Sequence, residues 1–64
     1  MTVLHSIQVD HDLYEVLLRG LTIIRITKYL GDSQIGREVR FDDLHAEIQF
    51  VILESIASNE QPNQ

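Results

Sequence analysis

The chain is organised around residues 13–41, LYEVLLRGLTIIRITKYLGDSQIGREVRF. The part before Gly20 spaces its leucines and valine as a helix does, whereas the part after it is rich in isoleucine and threonine. Glycine returns at Gly31 and Gly36. Since β-branched residues favour strands and glycine favours turns, this stretch predicts one helix followed by strands.

The helix is predicted over residues 11–19. Leu13 and Leu17 recur at helical spacing on an apolar stripe. Asp10 is a good N-cap for such a helix, and Gly20 is a good residue to end it.

Three strands are predicted outside this helix. Residues 3–9 alternate apolar and polar side chains, and residues 21–30 are rich in β-branched side chains. Residues 37–41 follow a turn at 31–34.

The last apolar segment has two interpretations. Residues 46–54 alternate as a strand would and contain the β-rich run FVIL, which favours a strand. The same region also fits a helix capped by Asp42 or Asp43. The predicted fold is therefore α+β: a small, barrel-like antiparallel sheet with one helix in the order β-α-β-β-β, whose last element is either strand or helix.

One domain is predicted over residues 1–57, followed by a polar flexible tail at 58–64. A chain of 64 residues has a small core and often needs a supplement to it. There is no cysteine, and the histidines, His5, His11 and His45, lack the spacing of metal ligands. We therefore expect no disulfide, metal or cofactor, and a homodimer as the supplement.

The N-terminal residues, MTVLHSIQVD, contain neither a basic region nor a long apolar run. No stretch approaches the ~20 apolar residues of a membrane span. With the absence of cysteine, this favours a cytoplasmic protein without a membrane partner.

Charge is distributed unevenly. The net charge is −5, but all five basic residues lie within 19–40, where only two acidic residues accompany them and the local net charge is +3. Such a segment is either an ordinary mixed-sign face or a cationic contact surface on an acidic body. As the contact surface, the sequence predicts these binding residues: Arg25, Lys28, Tyr29, Arg37 and Arg40.

Catalytic patterns are weak. Ser6 beside His5, and Ser33, lack the flanking motif of an activated nucleophile. Asp42 and Asp43 are more typical of a cap or turn than of an acid pair. We predict no catalytic residue and no enzymatic activity.

The run of residues 35–41, IGREVRF, together with Tyr14, Leu17 and Gly20, resembles the PUA-like barrel of ASCH domains. Members of that family carry a lysine shortly after the helix, and an ungapped comparison places Thr22 there. The resemblance implies a barrel that lacks the catalytic lysine and keeps a binding surface for RNA or nucleobases.

A shorter stretch, residues 6–14, resembles the strand-to-helix start of ribbon-helix-helix regulators, which are dimeric DNA-binding proteins. That resemblance implies one helix over residues 11–30 and a second over 42–57. Gly20 then falls inside the first helix, at a cost of about 1 kcal/mol relative to alanine.

The function expected from the sequence is a small, non-enzymatic binding or regulatory module. It contacts a macromolecule, either protein or nucleic acid, through its sheet edges and the basic segment. The alternatives are an ASCH-like binder of RNA or nucleobases and a dimeric ribbon-helix-helix regulator that binds DNA.

Overall fold

The computed structural model describes residues 1–60, with side-chain placement for residues 1–58. Four strands precede one helix. In chain order the elements are β1 (Thr2–Val9), β2 (Asp12–Arg19), β3 (Thr22–Tyr29), β4 (Arg37–Val39), a 3₁₀ turn (Phe41–Asp43) and α1 (Ala46–Glu60).

The strands form one antiparallel sheet in the order β1-β2-β3-β4, and α1 packs on one of its faces. This arrangement confirms the predicted α+β class, with an antiparallel sheet and one helix. The sheet is open, with β1 and β4 at its edges, so the predicted barrel-like closure is not confirmed. The element order is β-β-β-β-α instead of β-α-β-β-β.

The helix predicted over 11–19 is wrong, because this segment forms β2 at the centre of the sheet. Tyr14, Val16 and Leu18 are buried, and the residues between them project to the opposite face. The leucines and valine that fit helical spacing therefore alternate between the two faces of a strand that is paired on both sides. The long helix over 11–30 that the second resemblance implied is replaced by β2 and β3.

Two tight turns make this meander possible. Asp10 and His11 join β1 to β2, and Gly20 and Leu21 join β2 to β3. The first residue of each turn has a left-handed φ, 57° at Asp10 and 62° at Gly20. Glycine adopts this conformation freely, and aspartate tolerates it better than most residues. The residues predicted to cap a helix are thus turn residues.

The predictions for β3 and β4 are confirmed in type. β3 (Thr22–Tyr29) lies within the predicted 21–30, and β4 (Arg37–Val39) is shorter than the predicted 37–41. The chain leaves β4 at Arg40 and enters the 3₁₀ turn, so that Phe41 packs against the core from outside the sheet.

The last element is a helix, so the preference for a strand over 46–54 is wrong and the helical alternative is confirmed. Val51 and Ile52 are consecutive in the chain, yet both contact the core together with Ile48 and Ile56, which the alternating faces of a strand would not permit. Gln49 Nε2 donates a hydrogen bond of 2.7 Å to the carbonyl of Phe41 and so ties the start of α1 to the preceding turn.

α1 continues to Glu60 and therefore includes the start of the segment predicted as a tail. The rest of that prediction, residues 61–64, lies outside the described residues. Within residues 1–60, the structure contains no helix of the length and apolarity needed to cross a membrane.

The core lies between α1 and one face of the sheet. Its buried members are Ile7, Tyr14, Val16, Leu18, Ile26, Ile52 and Ile56. The opposite face of the sheet is not covered by any described element, and it carries the exposed side chain of Leu4. We call this uncovered side the open face.

Candidate functional site

The five residues predicted for binding do not share one face. Residues opposite each other in an antiparallel pair project to the same side, and Lys28 lies opposite buried Tyr14 and opposite Arg37. Lys28 and Arg37 therefore lie on the α1 side of the sheet. Arg25 and Tyr29, at odd positions of the same strand, lie on the open face.

Lys28 is already engaged within the fold. Its Nζ lies 3.9 Å from Asp12 Oδ2 and 5.5 Å from the centroid of the Tyr14 ring. Asp12 Oδ1 also accepts a hydrogen bond of 3.2 Å from the backbone N–H of Gly31. Lys28 thus helps to hold the turn after β3 against β2, which reduces its availability to an external anion.

Tyr29 has a structural neighbourhood as well. Its hydroxyl donates a hydrogen bond of 3.4 Å to Glu15 Oε1, and its ring lies directly beside Gly36. The remaining basic residues of the prediction, Arg25, Arg37 and Arg40, are exposed. The sequence shows these charges in one segment but does not show which face of the sheet each one occupies.

The two edges of the sheet differ greatly. β4 is only three residues long and includes charged Arg37 and Glu38, which are features that discourage pairing with another strand. β1 is eight residues long, TVLHSIQV, and contains no proline, lysine, arginine or acidic residue. Its register with β2 runs without a bulge from Thr2 to Val9.

Apolar side chains accompany the β1 edge. Val3 is 48% exposed and Leu4 is 55% exposed. A long, regular and uncharged edge of this kind is a template for pairing with another strand. The sequence predicts contacts at sheet edges, but it does not identify β1 as the unprotected edge because strand order is not visible in it.

Beside this edge runs a furrow between β1 and α1, made of two depressions that share Val51. The first, about 770 Å³, lies between the end of β1 and the start of α1, and it includes Val9 and Phe50. The second, about 490 Å³, lies between Ile7 and the later turns of α1. We call these two depressions together the β1–α1 furrow.

The outer side of α1 is also apolar. Ala46, Phe50, Leu53 and Ala57 recur at intervals of four, three and four residues and are all exposed. Phe50 is 63% exposed and Leu53 is 50% exposed. A helix that is apolar on its outer side as well as its inner side is typical of a helix with a further partner. Two interleaved stripes in residues 46–57 were the sequence signal for this surface.

Charge around the furrow has a single sign. Asp10 and Glu47 line the first depression, and Glu54 lines the second. His45 also lines the first depression, and within the part of the chain whose side chains the structure describes, no lysine or arginine lines either depression. Among the described side chains, no group of three histidines or acids lies close enough to hold a metal ion.

No protein-family model, curated protein or solved structure matches this chain. Both family resemblances therefore stay predictions.

Proposed function

We propose that this chain is a small, non-enzymatic binding or regulatory module that contacts a partner protein through the free edge of β1. The proposal is supported by one observation above all: an eight-residue edge strand that lacks charge, proline and bulge. A strand added to such an edge is held by backbone hydrogen bonds, and pockets beside the edge select its side chains. A cytoplasmic location is part of the proposal and is supported by the absence of cysteine.

The basic residues form a second contact in this proposal. Arg37 and Arg40 lie near the β4 edge, on the far side of the sheet from β1, and Arg25 and Tyr29 lie on the open face. A partner that pairs with β1 and continues across the open face crosses β2 before it reaches Arg25 and Tyr29 on β3. These residues then adjust affinity, while the β1 edge supplies the main contact.

A protein partner is favoured over nucleic acid for electrostatic reasons. Binding along a phosphate backbone gains most from several free cations on one surface. Here the net charge is −5, Lys28 is paired with Asp12, and the exposed arginines are divided between faces. The ASCH-like and ribbon-helix-helix alternatives both require nucleic acid or nucleobase binding and are tested together with the protein proposal.

A synthetic strand provides the direct test. The neutral peptide TQTVTQTV, added to the isotopically labelled chain, is expected to shift backbone amide resonances of Thr2–Val9 more than those of any other strand. A version with proline in place of the threonine at its fifth position is expected to bind far more weakly, because proline removes a backbone donor. Unchanged β1 resonances at saturating peptide would contradict the proposal.

Two matched leucine variants locate the contact. Leu4→Lys places a charge on the edge strand, whereas Leu21→Lys places the same charge in the turn between β2 and β3, where the leucine is 71% exposed. We expect Leu4→Lys to weaken peptide binding by about fivefold, since lysine on an edge opposes strand addition. Leu21→Lys is expected to bind as the parent does.

Electrophoretic retardation of RNA and DNA separates the alternatives. Retardation that falls steeply with salt, without any β1 response to peptide, would contradict the protein proposal and favour a nucleic-acid function.

A further inference from the structure

We infer that the segment that pairs with β1 is cationic, with basic and apolar residues alternating on the side that faces α1. This inference rests on the proposed strand addition and names the chemistry of the partner. It comes from the β1–α1 furrow, which lies directly beside the pairing edge and combines an apolar floor with an acidic rim.

The position of the furrow fixes which partner residues enter it. A strand added to β1 lies about 4.8 Å from it, and its side chains alternate between the two faces of the extended sheet. Every second side chain therefore projects towards the α1 side. This holds for both parallel and antiparallel addition, so the inference does not depend on strand direction.

Apolar contacts are available along the whole length of the furrow. Val9 and Phe50 lie at one end, Val51 lies in the middle, and Ile7 lies in the second depression. Phe50 is 63% exposed although it is the largest apolar side chain of α1. Aliphatic side chains, or the methylene stems of lysine and arginine, can cover it.

The rim selects the charge. Asp10, Glu47 and Glu54 are spread from one end of the furrow to the other, and among residues 1–58 no lysine or arginine lines either depression. A basic side chain on the partner gains from this field, whereas an acidic one meets like charges beside a low-dielectric surface. Alternating basic and apolar residues therefore match both the rim and the floor.

A second copy of this chain fits the edge less well than a cationic segment does. β1 contributes no basic residue, and a copy aligned on β1 brings its own acidic rim beside the first. Like charges across a contact disfavour it. We therefore assign the furrow to a different, cationic protein segment.

Three peptides that carry threonine at every odd position test the inference. TKTVTKTV, TQTVTQTV and TETVTETV differ only at their second and sixth residues, and each is titrated against the labelled chain at low and high salt. We expect the lysine peptide to bind about tenfold more tightly than the glutamate peptide at low salt, and this preference to shrink as salt rises.

Neutralising variants locate the preference. Glu54→Gln is expected to reduce the advantage of the lysine peptide by about threefold, because Glu54 lies on the furrow. Asp32→Asn removes the same charge from the exposed turn after β3 and is the matched control. Thermal unfolding of both variants confirms that each remains folded.

The outcomes separate this inference from the proposed function. Equal binding of all three peptides at β1 would overturn the charge assignment while leaving strand addition intact. Failure of all three to shift β1 would overturn strand addition itself. A lysine preference that Asp32→Asn lowers as much as Glu54→Gln does would show a general attraction to an acidic protein and would also overturn the assignment.

Discussion

Gly36 illustrates how a single side-chain contact accounts for a residue type. A Cβ atom at this position would lie 2.6 Å from Cγ2 of Thr27 and 2.7 Å from Cε2 and Cζ of Tyr29. The sequence indicated only that glycine allows an easy entry into β4. The structure gives the reason, which is the close approach of the chain to Thr27 and to the Tyr29 ring on the open face of β3.

We therefore expect Gly36→Ala to lower the free energy of unfolding by about 1–3 kcal/mol, the usual cost of overpacking. Urea denaturation followed by circular dichroism measures this change. In a Tyr29→Ala background the ring is gone, and the cost of Gly36→Ala should fall. An undiminished cost in that background would show that the ring contact is not its cause.

Lys28 shows a second effect of individual contacts. Its proximity to Asp12 and to the Tyr14 ring adds a contact between β3 and β2, and its role in binding stays a prediction. The side chains of Lys28 and Asp12 are 26% and 31% exposed, so solvent screens part of this attraction. The residue type showed that position 28 carries a positive charge, but it did not show which groups that charge contacts.

Secondary structure in this chain is decided mainly by pairing between neighbours. Asp12–Arg19, DLYEVLLR, has leucines that suit a helix, yet it lies between β1 and β3 and is buried on alternate residues. Ala46–Glu60 contains β-rich FVIL, yet it folds as a helix, in which Ile48, Val51 and Ile52 share one inner face. Local propensity is a weak preference that tertiary contacts overrule.

A pair of neighbouring residues tests the helix directly. Ile52 is fully buried in the core, and Leu53 is 50% exposed on the outer side of α1. We expect Ile52→Ala to cost about 2–5 kcal/mol, enough to unfold much of so small a domain. Leu53→Ala should cost roughly 0.5 kcal/mol or less.

Thermal unfolding by circular dichroism distinguishes these two variants. Conservative Ile52→Val, expected to cost only about 0.5–1.5 kcal/mol, keeps the comparison measurable if Ile52→Ala does not fold. Similar losses from Ile52→Val and Leu53→Ala would contradict the assignment of inner and outer faces.

The complete fold has a small core and many exposed apolar groups. Seven side chains form the buried cluster, whereas nine large hydrophobic side chains among the described residues are exposed. A domain of this size buries only about 60% of the surface of its unfolded chain. The self-association expected from the sequence stays a prediction. Its physical reason is that a second copy would cover some of the exposed apolar side chains.

We expect sedimentation of the isolated chain to show a concentration-dependent monomer–dimer equilibrium. A dimer also predicts that the unfolding temperature rises as the protein concentration is raised. A stable, folded monomer over the full concentration range would contradict the homodimer.

The division of charge also belongs to the molecule as a whole. Most of the basic segment lies on β3, β4 and their connections. Asp10, Glu47 and Glu54 surround the β1–α1 furrow, which lies at the opposite edge of the sheet. The two regions thus suit contacts of opposite sign. The sequence showed the segregation along the chain, and the strand order converted it into segregation in space.

The sequence was sufficient for the α+β class, for strands within 3–9, 21–30 and 37–41, and for the turn after β3 at 31–34. These features depend on local chemistry: β-branched side chains, the permissive φ of glycine and alternation of polarity. It also contained the alternative of a C-terminal helix without being able to select it.

Tertiary contacts selected β2 over a helix and α1 over a strand, and they made the long, uncharged β1 an edge of the sheet. They also divided the predicted binding residues between two faces and created the β1–α1 furrow. Each of these outcomes depends on which elements become neighbours, and short apolar runs fit helix and strand equally well until those neighbours are in place.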